Sequence, residues 1–253
     1  MKIFFSETFN ESDYANDCAA EPGRIETIVS SLHEEKSFSF AVPETASEFD
    51  IHRAHTPDYL QQMKDRPKQF HMALLAAGAA ICAAESALQN EPAFACIRPP
   101  GHHASRSSSW GYCVFCNMAV ALLKLKAKGL INSAFILDFD AHTGDGTIDI
   151  LSDWKEAIIL NPYREDREQY LEEIKENLDK IKTVDIVGIC AGFDTYIKDV
   201  GRKLSTFDFY QIGFMMKKFS ERAANGRRFA ILEGGYYLPD LGKNVLAFCQ
   251  GFA

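Results

Sequence analysis

Apolar residues gather along this chain in short unbroken runs rather than in strict alternation with polar ones. The runs fall near residues 2–5, 94–97, 134–138, 157–160, 185–190 and 228–232. Their Val, Ile, Phe and Ala content marks strands buried on both faces of a parallel sheet. Between them, apolar positions recur at helical spacing, which predicts helices over 23–32, 56–64, 70–88, 116–128, 165–181 and 206–224. The second opens at Thr56-Pro57-Asp58 with proline in its first turn, and the last at Thr206 with Asp208 close behind. In 165–181, Tyr170, Leu171, Ile174, Leu178 and Ile181 form one apolar stripe against a solvated charged face. Strands alternating with helices predict βαβ units and hence an α/β fold. No linker, repeat or low-complexity tract breaks the pattern, so one domain over 1–253 is expected.

Composition changes this picture little. The chain has 253 residues, 47% of them hydrophobic and 25% charged, which is ordinary for a globular protein. Its net charge of −8 argues against nucleic acid as a partner, because phosphate binding needs a basic face. The longest apolar run, Met72 to Ala84, falls short of the ~18 residues of a membrane span, so it reads as a buried helix and no membrane is expected. Seven cysteines, an odd number at irregular spacing, suit a reducing compartment, and with no targeting segment in view a cytoplasmic location is expected. Cys113-x-x-Cys116 has no second pair and reads as packed thiols rather than a zinc ribbon.

The chemistry concentrates just past four of the apolar runs. At residues 98–104 a rigid Arg-Pro-Pro-Gly turn presents two adjacent histidines, His102 and His103, whose ordinary pKa of about 6.5 suits proton transfer near neutrality. The run 134–137 leads into Asp138-Phe139-Asp140-Ala141-His142-Thr143-Gly144-Asp145, the run 186–190 into Ala191-Gly192-Phe193-Asp194, and the run 228–232 into Glu233-Gly234-Gly235-Tyr236. Ligands of open α/β sheets bind at that carboxyl edge. Asp140 and His142 alternate onto one face of an extended segment; with Asp194 they offer three ligands and leave a position open for water and substrate. Such an ion acidifies water to a pKa of about 7 and polarises a carbonyl. The oxygen and nitrogen donor set fits Zn²⁺, and equally Fe²⁺ or Mn²⁺. Asp138 and Asp145 flank the pair and can each accept from an imidazole nitrogen, fixing its tautomer. Tyr236, after two glycines, can set a hydroxyl beside a polarised carbonyl.

Taken together, Arg98 to Ala104, Gly111-Tyr112-Cys113-Val114-Phe115-Cys116-Asn117, Asp138 to Thr147, Ala191 to Asp194 and Leu232 to Tyr236 resemble the histone deacetylase and acetylpolyamine amidohydrolase family, in a compact, class II-like form. The resemblance implies an arginase-deacetylase-like three-layer fold with a central, mostly parallel sheet of about eight strands flanked by helices. It implies zinc-dependent removal of an acyl group from an amine such as acetyl-lysine or an acetylpolyamine. By position it makes Asp140, His142 and Asp194 the metal ligands, His103 with Asp145 the general base, and His102 with Asp138 an electrostatic or acidic assistant. Tyr236 becomes the carbonyl-polarising hydroxyl, and Gly111, Tyr112 and Gly234 substrate-binding positions. A potassium ion near Asp138, Asp140 and His142 is also implied.

Thr143 departs from the family pattern, and segments 61–71 and 148–190 look trimmed, which implies a wider, shallower mouth. Two other readings stand beside the hydrolase: a two-metal ureohydrolase of the same fold, and a non-catalytic module that recognises acylated lysine. The first needs a further carboxylate two residues past Asp194, where Tyr196 stands. His52 and His55 read as loop histidines, and Trp110 either lines the pocket or packs beneath it. The oligomeric state is open.

Overall fold

The computed structural model describes residues 1–253 as one seven-stranded sheet flanked by nine α-helices. The strands are β1 (Lys2–Phe4), β2 (Ser39–Ala41), β3 (Ala93–Ala95), β4 (Ala134–Asp138), β5 (Ala157–Leu160), β6 (Ile186–Ala191) and β7 (Arg228–Leu232). They lie in the order β2-β1-β3-β7-β6-β4-β5, and every pairing is parallel. All six apolar runs are strands. The count of seven corrects the expected eight or so. The strand that runs of apolar residues did not mark, β2, is a three-residue edge strand with exposed Ser39, where a continuous apolar run has nothing to bury against.

The helices are α1 (Arg24–His33), α2 (Glu48–Ile51), α3 (Pro57–Met63), α4 (Pro67–Leu88), α5 (Asn117–Ala127), α6 (Asp145–Leu151), α7 (Arg167–Lys180), α8 (Thr206–Ala223) and α9 (Leu238–Phe252). By length and composition α4 could cross a membrane, yet 72% of its most apolar window is buried inside the protein. It packs against α5 and against strands β1, β3 and β7. Its alanines let the helix sit close to the sheet; the core they join is one continuous cluster of 80 buried apolar residues. On α8, Ser205 caps the helix and Asp208 completes a reciprocal capping box, while Arg167 of α7 donates to both Asp208 oxygens.

The register explains how four distant segments meet. Across the sheet, Ala95 of β3 pairs with Ile231 of β7, Ile231 with Cys190 of β6, and Cys190 with Asp138 of β4. These four residues form one row across four neighbouring strands. Each of the motifs picked out above begins at that row or within three residues of it, so the sheet delivers them to one edge.

His55 lies in the loop between α2 and α3, as its reading has it, but it is a structural residue there. It is 3% exposed and bridges two segments: its Nδ1 lies 2.9 Å from the Ser105 carbonyl, and its Nε2 accepts the Cys116 N–H at 3.0 Å. That pattern requires the neutral imidazole, because a second ring proton would face an N–H. Burial accordingly pushes its pKa down to about 4. An unfolded His55 titrates near 6.5, so between pH 6.5 and 4 the unfolded chain binds more protons. The stabilisation is therefore complete above pH 6.5 and is lost as pH falls towards 4, up to about 3 kcal/mol. Urea unfolding of the wild type and of His55→Gln at pH 7 and pH 5 checks this. The wild type is expected to lose more stability over that interval than the variant, and equal losses would refute the assignment.

Candidate active site

The row of strand ends opens into a cavity of about 420 Å³ lined by His102, His103, Asp140, His142, Gly234 and Tyr236, with Trp110, Gly111, Tyr112, Cys18 and Val200 towards its mouth. Every residue that the sequence marked for chemistry is here or directly behind it. No residue of 61–71 or 148–190 lines the cavity, whereas Cys18, Trp110, Tyr112 and Val200 do.

On the floor, one ligand atom each from Asp140, His142 and Asp194 lies within 4.8 Å of the others. His142 turns its Nδ1 to Asp140 Oδ1 at 3.2 Å and Asp194 Oδ2 at 3.3 Å. Backbone groups hold the carboxylates still. The N–H groups of His142 and Gly234 donate to Asp140, and that of Ala141 donates to Asp194 Oδ1. Asp194 Oδ2 is buried, and the one electropositive group facing it is His142 Nδ1 at 3.3 Å, outside good hydrogen-bond geometry. A buried oxygen of this kind is costly unless something electropositive meets it. Burial, and then the charge of Asp140, push the Asp194 carboxyl up to about 7. A divalent cation between the two carboxylates would offset both effects, so a donor set of two buried carboxylates and one imidazole fits one. Gly234 is where the floor meets the wall: a Cβ there would sit 2.6 Å from Asp140 Oδ2 and 2.8 Å from Asp194 Cγ, so no larger residue can stand beside these carboxylates.

The two histidines face the floor in different states. His102 Nδ1 lies 3.0 Å from Asp138 Oδ2, and its Nε2 3.7 Å from Asp140 Oδ1. Burial alone would favour its neutral form, but the charges of Asp140 and Asp138 outweigh that and hold its pKa well above 6.5. His103 Nδ1 lies 2.6 Å from Asp145 Oδ1. A carboxylate can only accept, so Nδ1 carries the proton and Nε2 keeps its lone pair. Burial, and next to it the positive His102, push the His103 pKa down to about 4. One imidazole is thus a charged donor and its neighbour a neutral acceptor, which is how a site keeps acid and base roles apart.

Tyr236 enters on a loop held from both sides. Its backbone N–H and that of Tyr237 donate to Asp199 Oδ2 at 2.6 and 2.7 Å, while Arg24, fully buried, donates to the carbonyls of Gly235 and Glu233. Burial keeps the Tyr236 hydroxyl protonated far beyond neutral pH. Tyr112 stands edge-on to the Tyr236 ring at 6.0 Å, across the mouth. The turn that carries Tyr112 needs Gly111, whose φ of +58° suits glycine and whose Cβ would lie 2.5 Å from His103 Cδ2.

Several contributors were not evident in the sequence. Glu233 is fully buried and accepts the N–H groups of Gly101 and His102, clamping the tandem histidines from behind. Its place inside the fourth motif was the available signal. Arg24, more than 200 residues away from the loop it holds, carried none. Trp110, for which the sequence allows either pocket or core, is exposed and lines the pocket. Cys113 and Cys116 are buried free thiols, the former accepting the His103 N–H at 3.4 Å. Tyr196 turns its hydroxyl to Asp240 at 2.9 Å.

The histone deacetylase domain pattern matches residues 19–185. A probable deacetylase of Archaeoglobus fulgidus is 27% identical over an alignment that takes in 99% of this chain and 86% of that protein. The histone deacetylase-like amidohydrolase of Pseudomonas aeruginosa is 27% identical over 81% of this chain and 69% of its own. The human polyamine deacetylase HDAC10 is 24% identical over 81% of this chain but only 40% of its own length. Among solved structures, the HDA15 HD domain superposes with a TM-score of 0.87 at 20% identity, covering 99% of this chain and 88% of that one, which is a likeness of fold.

Proposed function

Because this chain belongs to the histone deacetylase domain family, we propose that it is a metal-dependent hydrolase that removes an acetyl or other acyl group from an acylated amine. The observation that carries the proposal is the convergence of one ligand atom each from Asp140, His142 and Asp194 within 4.8 Å, on the floor of a cavity walled by His103 and Tyr236. Asp140, His142 and Asp194 would hold the ion, with zinc the first candidate for this donor set and Fe²⁺ or Mn²⁺ the others. When bound, the ion supplies Lewis acidity, which lowers the pKa of water and polarises an amide carbonyl.

The protein's own side chains do the rest. His103, neutral and with Nε2 free, takes the proton of the attacking water, and Asp145 holds the imidazole in that tautomer. Tyr236 donates its hydroxyl proton in a hydrogen bond to the carbonyl oxygen as negative charge develops there. His102, held through Nδ1 by the buried Asp138, faces the same negative charge and, when protonated, can return a proton to the departing amine. Tyr112 and Gly111 flank the acyl-amine chain as it enters. Acetyl-lysine, acetylpolyamines and small acylated amines all share the reacting group, and the name of the human relative favours including polyamines.

The test is a substrate panel with protein reconstituted with Zn²⁺, Fe²⁺ or Mn²⁺. Acyl-lysine peptides and acylpolyamines are set beside guanidines such as arginine and agmatine, and free amine and urea are both measured. Amine release from at least one acyl substrate, with no urea from the guanidines, is expected. Inertness towards every acylated amine with all three ions would overturn the proposal, and urea production would replace it with the ureohydrolase reading.

A further inference from the structure

The two histidine–carboxylate pairs are built differently, and the difference points to one residue. Asp138, behind His102, is buried, and its second oxygen accepts the Asp140 N–H at 3.2 Å. Burial and backbone hold it in place. Asp145, behind His103, has a side chain 50% exposed at the start of α6. Water competes for both of its oxygens, and an exposed carboxylate has rotamer freedom that a buried one lacks.

Trp110 supplies what is missing there. Its indole N–H donates to Asp145 Oδ2 at 2.9 Å, which leaves Oδ1 for His103 Nδ1 at 2.6 Å. Its ring also stacks on the His103 imidazole, with centroids 3.7 Å apart and planes 29° apart. One side chain therefore touches both members of the pair. Packing does not explain it, since Trp110 is 54% exposed where a core tryptophan would be buried. The left-handed turn at Gly111 and Tyr112 places it over the histidine.

We propose that Trp110 is a positioning residue for the His103–Asp145 pair: its N–H fixes the carboxylate rotamer and its ring fixes the imidazole plane. The kinetic half of this proposal rests on the hydrolase reading above; the geometric half does not. If it holds, Trp110 acts on the turnover step through His103, whereas a residue that merely walls the cavity would act on substrate affinity.

Trp110→Phe keeps a stacking ring and removes the N–H, while Trp110→Leu removes both. With a substrate of the wild type, Trp110→Phe is expected to lower kcat about tenfold and Trp110→Leu about a hundredfold, within the range a general base supplies. KM and metal content should stay within about twofold of the wild type. Wild-type kcat in both variants, or a change confined to KM, would overturn the proposal. A second measurement needs no activity. The chain has two tryptophans, so a Trp154→Phe background leaves one indole N–H signal in a ¹⁵N correlation spectrum. That signal is expected to shift and to exchange faster with water in Asp145→Asn. A signal unmoved by that change would overturn the proposal even if the wild type hydrolysed nothing, and it also decides the matter if Trp110→Leu fails to fold.

Discussion

Replacing His103 with alanine lowers kcat for hydrolysis of an acylated amine by roughly 10²–10⁴-fold, the usual contribution of a positioned general base, and leaves the metal content unchanged. Three features of the site set this expectation. His103 is neutral at working pH because burial and the positive His102 depress its pKa to about 4. Its proton sits on Nδ1, towards Asp145, so the free nitrogen faces the cavity. It supplies no atom to the cluster of Asp140, His142 and Asp194, so its loss should not release the ion. Steady-state kinetics with metal analysis on the same preparation decides the matter. A variant within a few-fold of the wild type would remove His103 from the mechanism.

The second large effect belongs to Tyr236→Phe, which removes one oxygen and no more. The loop around it is held through backbone atoms by Asp199 and Arg24, neither of which touches the hydroxyl in doing so. The phenylalanine should therefore occupy the same place, and stability should change little. The expected cost is roughly 10²–10³ in kcat, the size measured for loss of one oxyanion donor, with KM nearly unchanged because the interaction strengthens only as charge develops. A rise in KM at constant kcat would instead make Tyr236 a substrate contact.

The parts of this fold that could be read in advance share a physical cause. Strands β4, β6 and β7 are buried on both faces, so they must be continuously apolar, and the reactive residues follow them because the sheet ends there. What escaped does so for equally definite reasons. Helix α6 begins inside Gly144-Asp145-Gly146, residues that favour turns, where Gly146 lies close against the backbone of Ala104. Helix α9 carries Gly242 and Gly251, which lower its propensity, yet it packs along α8 and α1. Tertiary contact overrides local preference in both.

The site divides along the same line. Asp140, His142, Asp194, His102, His103 and Tyr236 were legible because their residue types have chemistry of their own and recur at strand ends. Arg24 and Trp110 have roles that exist only through a partner far along the chain. Arg24 meets carbonyls at 233 and 235, and Trp110 meets Asp145. No local pattern announces such a pairing, because its meaning is created by the fold.

All of this depends on three side chains sharing one divalent ion, and the most direct check is to count the ions. Metal-stripped protein is dialysed against Zn²⁺ and its content measured, beside the Asp140→Ala/Asp194→Ala double variant. One ion per wild-type chain and none in the variant is the predicted result. A wild type that binds no ion, or a variant that binds as much as the wild type, would contradict the account at its base.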